Sequence, residues 1–202
     1  MKKVHSTHHT EAILIKNLIK GDSQAFEHVV AEYHNIMLSV ARAIAGNSIA
    51  DEIVQDAWLS AIKALPKFEG RSSLKTWLLQ IVSNGAKSRI RRERRFSSLT
   101  GQEDELIAGS FDHRGHRTGS SVTWHEDTPE ALLANEQLQT IIEHCFQQLP
   151  AMQRATLSMI DIEGMTLAEV CNILDISSSN ARVLLHRARL AIYQSIDNYQ
   201  DN

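Results

Sequence analysis

The three-and-four spacing of apolar residues that runs from Asp22 to Arg95 stops at Phe96, stays absent through Thr128 and resumes at Pro129. A stretch this long without periodicity does not fit inside one compact core, so the chain reads as two helical domains joined by a linker. The expected divisions are 10–95, 96–128 and 129–196. With 202 residues and 43% hydrophobic content, the chain can bury a core in either domain. Phe, Tyr, Trp and Pro are sparse while Ala, Leu, Ile, Glu, Gln and Arg are frequent, which favours helix over strand. The expected fold class is all-α. Two cysteines, Cys145 and Cys171, cannot build a disulfide framework and suit a reducing compartment. The start, Met1–Thr10, carries two lysines with no apolar run behind them, and no segment nears the roughly 18 apolar residues of a membrane span. A soluble cytoplasmic protein without membrane insertion is expected.

The net charge of −3 conceals an uneven distribution. Basic against acidic residues number 7 to 8 over 1–70, 8 to 1 over 71–95, 3 to 11 over 96–163 and 3 to 4 thereafter. One short basic block in an otherwise acidic chain is what a polyanion requires, because each cation seated on a phosphate releases counterions. A solvated helix face has the same composition, so charge alone leaves both readings open.

Asp22 is placed to cap a helix carrying Ala25, Phe26, Val29, Val30 and Tyr33. Ser48 is expected to open a second, whose inward stripe is Ile53, Val54, Ala57, Trp58, Ala61 and Leu65 and whose outer face holds Asp51, Glu52, Gln55, Asp56 and Leu59. Pro66 ends it. The loop from Pro66 to Arg71 leads to Ser72, expected as the cap of a helix with Leu74, Trp77, Leu78, Ile81 and Val82 on one side. That helix runs into the basic segment Lys87–Arg95. Trp77 fits either a core position or a stacking platform.

In the second domain, Thr166-Leu167-Ala168-Glu169 has the form of a capping box. Leu167, Val170, Cys171 and Leu174 face inward, Asp175-Ile176-Ser177 makes a turn, and Ser178 is placed to cap a second helix, which is helix-turn-helix spacing. If Ala181, Leu184, Leu185, Ala188 and Ile192 are buried, the opposite face displays Ser179, Asn180, Arg182, Val183, His186 and Arg187. That side has no carboxylate and can enter a major groove, with arginines for guanine or phosphate, Asn180 for adenine or phosphate and Val183 for a thymine methyl. An ordinary helical hairpin with a polar outside is the rival.

There is no P-loop, no Gly-x-Ser-x-Gly and no dinucleotide fingerprint, so no catalytic residue is assigned and no cofactor is expected. His113, His116, His125, His144 and Cys145 lack the paired spacings of a closed zinc site, and no metal is assigned.

Taken together, these segments resemble the extracytoplasmic-function group of bacterial sigma-70 factors. Gly21-Asp22-x-x-Ala25-Phe26, Asp51-Glu52-Ile53-Val54-Gln55-Asp56-Ala57-Trp58 and Phe68–Leu78 are similar to sigma region 2. Leu149-Pro150-x-x-Gln153-Arg154, Glu163-Gly164-Met165-Thr166-x-x-Glu169-Val170 and Val183–Arg189 are similar to sigma region 4. Asp175 departs from the glycine common at this turn, although Asp tolerates a left-handed backbone better than most residues.

The resemblance implies an initiation factor that directs core RNA polymerase to a class of promoters. Asp51, Glu52, Gln55, Asp56 and Leu59 would dock on the clamp coiled coil of the polymerase's largest subunit, and the flap region of the polymerase is a further expected contact. Phe68, Gly70, Arg71, Ser72, Ser73, Lys75, Asn84, Lys87 and Arg91 would hold the minus-10 element as single strand, with Arg89, Arg92, Arg94 and Arg95 as further phosphate contacts. Ser179, Asn180, Arg182, Val183, His186 and Arg187 would read the minus-35 duplex. A cognate anti-sigma protein is also implied. Residues 97–128 reach roughly 105 Å fully extended, enough for elements about 70 Å apart, two helical turns. The alternative is a stand-alone helix-turn-helix regulator that binds duplex without polymerase, which leaves the loop at 68–78 and the acidic helix unexplained.

Overall fold

A computed structural model describes residues 3–99 and 136–200. Among these residues every regular element is helical. The first bundle holds α1 (Lys3–Ile19), α2 (Ser23–Ala45), α3 (Ala50–Ala64) and α4 (Leu74–Leu99), with a 3-10 turn at Leu65–Lys67. The second holds α5 (Glu136–Gln148), α6 (Ala151–Leu157), α7 (Leu167–Leu174) and α8 (Ser178–Gln200), with a π turn at Ser158–Ile162. The expected linker lies outside the described residues except for Phe96–Leu99, where the backbone continues α4.

Five of the helix starts have an identifiable cause. The Asp22 carboxylate accepts the Ala25 amide at 2.9 Å and opens α2. Helix α3 starts at Ala50 rather than near Ser48, without a side-chain cap; Asp51 and Glu52 in its first turn complement the helix dipole instead. Helix α4 is capped by Ser73, one residue after the expected Ser72, through a 3.1 Å bond from the Thr76 amide to Ser73 Oγ. The box at Thr166 and Glu169 forms as its spacing requires, and Asp175 ends α7 in the left-handed region at φ 54°. Ser177 rather than Ser178 caps α8, accepting the Asn180 amide at 3.2 Å.

The inward stripe of α3 is as its periodicity predicts, with Ile53, Val54, Ala57 and Ala61 buried. They pack against Leu74, Leu78, Leu79 and Val82 of α4 and Met37, Val40 and Ile44 of α2. Helix α1 was not expected from the sequence; Leu18 is buried, and Leu14 and Ile15 pack on the same core.

The two bundles share that core. Ala155, Met159, Met165, Val170, Ile173 and Leu174, all from the second bundle, belong to one apolar cluster with the residues of α2 and α4. A smaller cluster of Leu149, Leu157 and Ala188 lies within the second bundle. Met159 and Leu174 are at most 1% exposed, so truncating either would cost about 2–5 kcal/mol through lost burial and the cavity left behind.

Candidate nucleic-acid interface

The loop between the 3-10 turn and α4 is shaped by two aromatic rings. Phe68 meets Trp77 with ring centroids 4.8 Å apart and planes at 42°. Beside them is a pocket of about 270 Å3, lined by Phe68, Arg71, Ser72, Trp77 and Gln80 among others. Trp77 packs on the core, one of the two roles the sequence left open, and also forms part of the pocket wall. Gly70 sits at φ +68° with open space where a Cβ would stand, so its backbone conformation requires glycine, not crowding. Arg71 pairs with Glu69 at 2.9 Å, but both side chains are well exposed and the pair constrains the loop little.

Along α4, Asn84 and Arg91 are exposed, whereas Lys75 and Lys87 are partly covered. Lys87 is drawn toward the second bundle: its ammonium donates to the Leu174 carbonyl at 3.0 Å. Burial lowers its pKa, Asp175 opposes that shift and Arg91 adds to it. Gln80 donates to the Asn172 carbonyl at 2.9 Å. From the other side, Arg154 Nε donates to the Ala43 carbonyl at 2.7 Å and its Nη1 to the Gln147 carbonyl at 2.7 Å. Most of these carbonyls lie in last helical turns, where acceptors lack intrahelical partners and a cation is favoured. The sequence carried Lys87 as a DNA contact and Arg154 only as part of a motif; neither Gln80 nor these cross-bundle bonds was foreseen.

In the helix-turn-helix, Ala181 and Ala188 are buried, and Leu184, Leu185 and Ile192 are half-buried, as the stripe predicts. Ser179, Asn180, Arg182, Val183 and His186 are exposed, while Arg187 is more covered. Arg189 forks onto Asp161 of the π turn with bonds of 2.9 and 2.6 Å, and that carboxylate raises the guanidinium pKa. This pair fixes α8 against the turn that precedes α7. Arg182 is then the exposed guanidinium on the outer face.

On α3, Asp51, Glu52, Gln55, Asp56 and Leu59 all lie outside, with Leu59 57% and Ile62 49% exposed. Arg89, expected on phosphate, instead reaches from α4 to grip Glu52 at 2.8 and 3.1 Å and also bonds Glu93. The carboxylates of Glu52 and Glu93 hold this guanidinium's pKa above its ordinary value. An acidic face is thereby partly neutralised around an apolar centre. Among the described residues no cluster of three or more His, Cys, Asp or Glu suits a metal ion, and no helix is long and apolar enough to cross a membrane. His113, His116 and His125 lie outside the described residues.

The profile for Sigma-70 region 2 matches residues 29–96 and that for Sigma-70, region 4 matches residues 139–192, together more than half of the chain. The chain belongs to the sigma-70 family, in its extracytoplasmic-function group. It is 29% identical over 184 residues to the ECF RNA polymerase sigma-E factor of Escherichia coli strain K12, covering 91% of this chain and 92% of that one. It is 27% identical over 187 residues to the RNA polymerase sigma-H factor of Pseudomonas aeruginosa, with the same coverage. Its fold is similar to that of the sigma factor RpoE solved with the anti-sigma factor NepR from Bartonella quintana, at TM-score 0.60 and 20% identity over 85% of this chain and 96% of that one. The likeness to CnrH, solved with the cytosolic domain of CnrY, has TM-score 0.59 and 21% identity over 93% and 97% of the two chains.

Proposed function

We propose that this sigma factor seats on core RNA polymerase through the outer face of α3 and engages one promoter at two places. The domain at 10–95 melts and holds the minus-10 strand, and the domain at 129–196 reads the minus-35 duplex, with 96–128 between them. One observation carries the reading: a single chain joins an aromatic-walled pocket at the head of a basic helix to a helix-turn-helix whose outer face bears Arg182 without a competing carboxylate. Unstacked bases need a pocket and a stacking partner, and a displaced backbone needs cations, which Phe68, Trp77, Arg71 and Lys75 supply together. Duplex reading needs only the second element.

The factor acts in the cytoplasm and lends polymerase its promoter choice without catalysing a step. A solved relative carries an anti-sigma factor, which supports a cognate anti-sigma protein for this chain as well. Because the family resemblance extends through both bundles, a stand-alone duplex-binding regulator is disfavoured. Gel-shift titrations with and without core polymerase test the reading directly. Tight promoter binding is expected only in the presence of core; equally tight binding by the isolated chain would overturn it.

A further inference from the structure

Helix α1 precedes the segment that the region 2 profile matches, which begins at residue 29. Its buried Leu18, with Leu14 and Ile15 packed beside it, fixes the helix on the first core. Glu11 lies one turn before Leu14 and Ile15, on the same side. From there its carboxylate accepts the backbone amide of Leu74 at 2.7 Å, across 63 residues of sequence. Leu74 is the first residue of α4, so its amide has no partner within the helix. Ser73 is occupied with the amide and hydroxyl of Thr76. The start of α4 is thus held twice, locally by Ser73 and from α1 by Glu11.

This matters for the loop that α4 terminates. At its near end the Phe68 amide donates to the Leu65 carbonyl at 3.0 Å and the Phe68 ring rests on Trp77. At its far end stand Ser73 and Leu74. Glu69, Gly70, Arg71 and Ser72 lie between these anchors, and three of them line the pocket. A carboxylate at a helix start also occupies the place an anion would take, leaving a strand phosphate to Arg71 and Lys75 on either side in sequence.

We propose that Glu11 is a positioning residue for capture of the melted promoter strand, holding the far anchor of the 68–73 loop from a helix outside the strand-binding segment. The proposal rests on the reading of that loop as the single-strand site. Glu11 itself contacts no nucleic acid; it acts through Leu74.

The test uses holoenzyme made from the source bacterium's core polymerase and wild-type chain, E11A, E11Q, E11D or the loop variant F68A, on a promoter where the wild type starts transcripts. Permanganate reactivity of minus-10 thymines reports strand opening, and retention of a minus-35 duplex fragment reports the second bundle. E11A and E11D, the latter one methylene too short, should open the promoter roughly 10-fold more slowly, the size of one lost hydrogen bond at a helix start. E11Q keeps an acceptor at the same reach and should stay within about 3-fold of wild type. All variants should retain the duplex fragment equally. Wild-type opening by E11A overturns the inference, as does rescue by E11D but not E11Q, which would make charge rather than reach decisive. Equal loss of duplex retention would reduce Glu11 to a global stabiliser and also overturns it. If E11A does not fold, the contrast between E11Q and E11D decides. Impaired opening in F68A with normal opening in E11A sinks the Glu11 role alone; normal opening in both sinks the loop reading as well.

Discussion

The Lys87 ammonium lies 3.0 Å from the Leu174 carbonyl, so a cation at the basic end of α4 caps the first helix of the helix-turn-helix. That lysine was singled out from sequence as a phosphate contact, and one of its three N–H donors is taken by this carbonyl. Replacing it with Met keeps the apolar stem and removes the donor. In the free chain, amide exchange at the end of α7 should accelerate by about 5-fold, corresponding to roughly 1 kcal/mol for one hydrogen bond. Unchanged exchange would mean that this bond adds nothing to the apolar contacts and the other cross-bundle bonds.

Arg154 makes the complementary tie from the second bundle, its fork spanning Ala43 of α2 and Gln147 of α5. Burial lowers its pKa, and removing the guanidinium would leave the covered Ala43 carbonyl without its donor. Arg154→Ala should lose about 2–4 kcal/mol in urea unfolding, and Arg154→Lys should recover less than half, since one ammonium cannot reproduce a planar fork. Full recovery by lysine would contradict this geometry.

The arginines of α8 have separable roles. Arg182 is exposed on the outer face, whereas Arg189 is spent on Asp161. Arg182→Ala should cost about 1–3 kcal/mol of discrimination between matched and mutated minus-35 duplexes, measured by competition with holoenzyme. A loss uniform across sequences would make Arg182 a phosphate contact. Arg189→Ala should instead lower the thermal midpoint with little change in sequence preference.

Glu169 closes the capping box, and the Thr166 hydroxyl and backbone amide hold its carboxylate below the ordinary value of 4.5. A carboxylate with a depressed folded pKa contributes stability that is present above the unfolded value and lost as pH falls through the folded one. Glu169→Gln should therefore cost about 0.5–1 kcal/mol at pH 7, the size of one cap. The gap to wild type should close in unfolding curves taken at roughly pH 3. A gap that persists in acid would mean that side-chain shape rather than carboxylate charge sets the cost of the substitution.

Much of this architecture is written in local chemistry. Asp22, Thr166 and Glu169 cap where their spacing requires, and the stripe from Ile53 to Ala61 faces inward because a helix places those residues on one side. The outer residues of α3 and α8 followed from the same geometry. What escaped depended on partners far away in sequence. Glu11 meets Leu74, Gln80 meets Asn172, and Arg154 meets Ala43, none of which a local period encodes. The partner of Arg89 escaped for the same reason: charge density suggested phosphate, and Glu52, which it grips in this structure, lies 37 residues earlier. Helix α1 had a readable signal in Glu11, Leu14, Ile15 and Leu18, at helical spacing, which the polar start of the chain obscured.

Run-off transcription with purified core polymerase over a library of promoters from the source genome tests the central claim most directly. Transcripts should begin at a defined set of sites only when this chain is present, and substituting Phe68 or Arg182 should silence those sites. Absence of any chain-dependent start, or starts indifferent to both substitutions, would contradict the account.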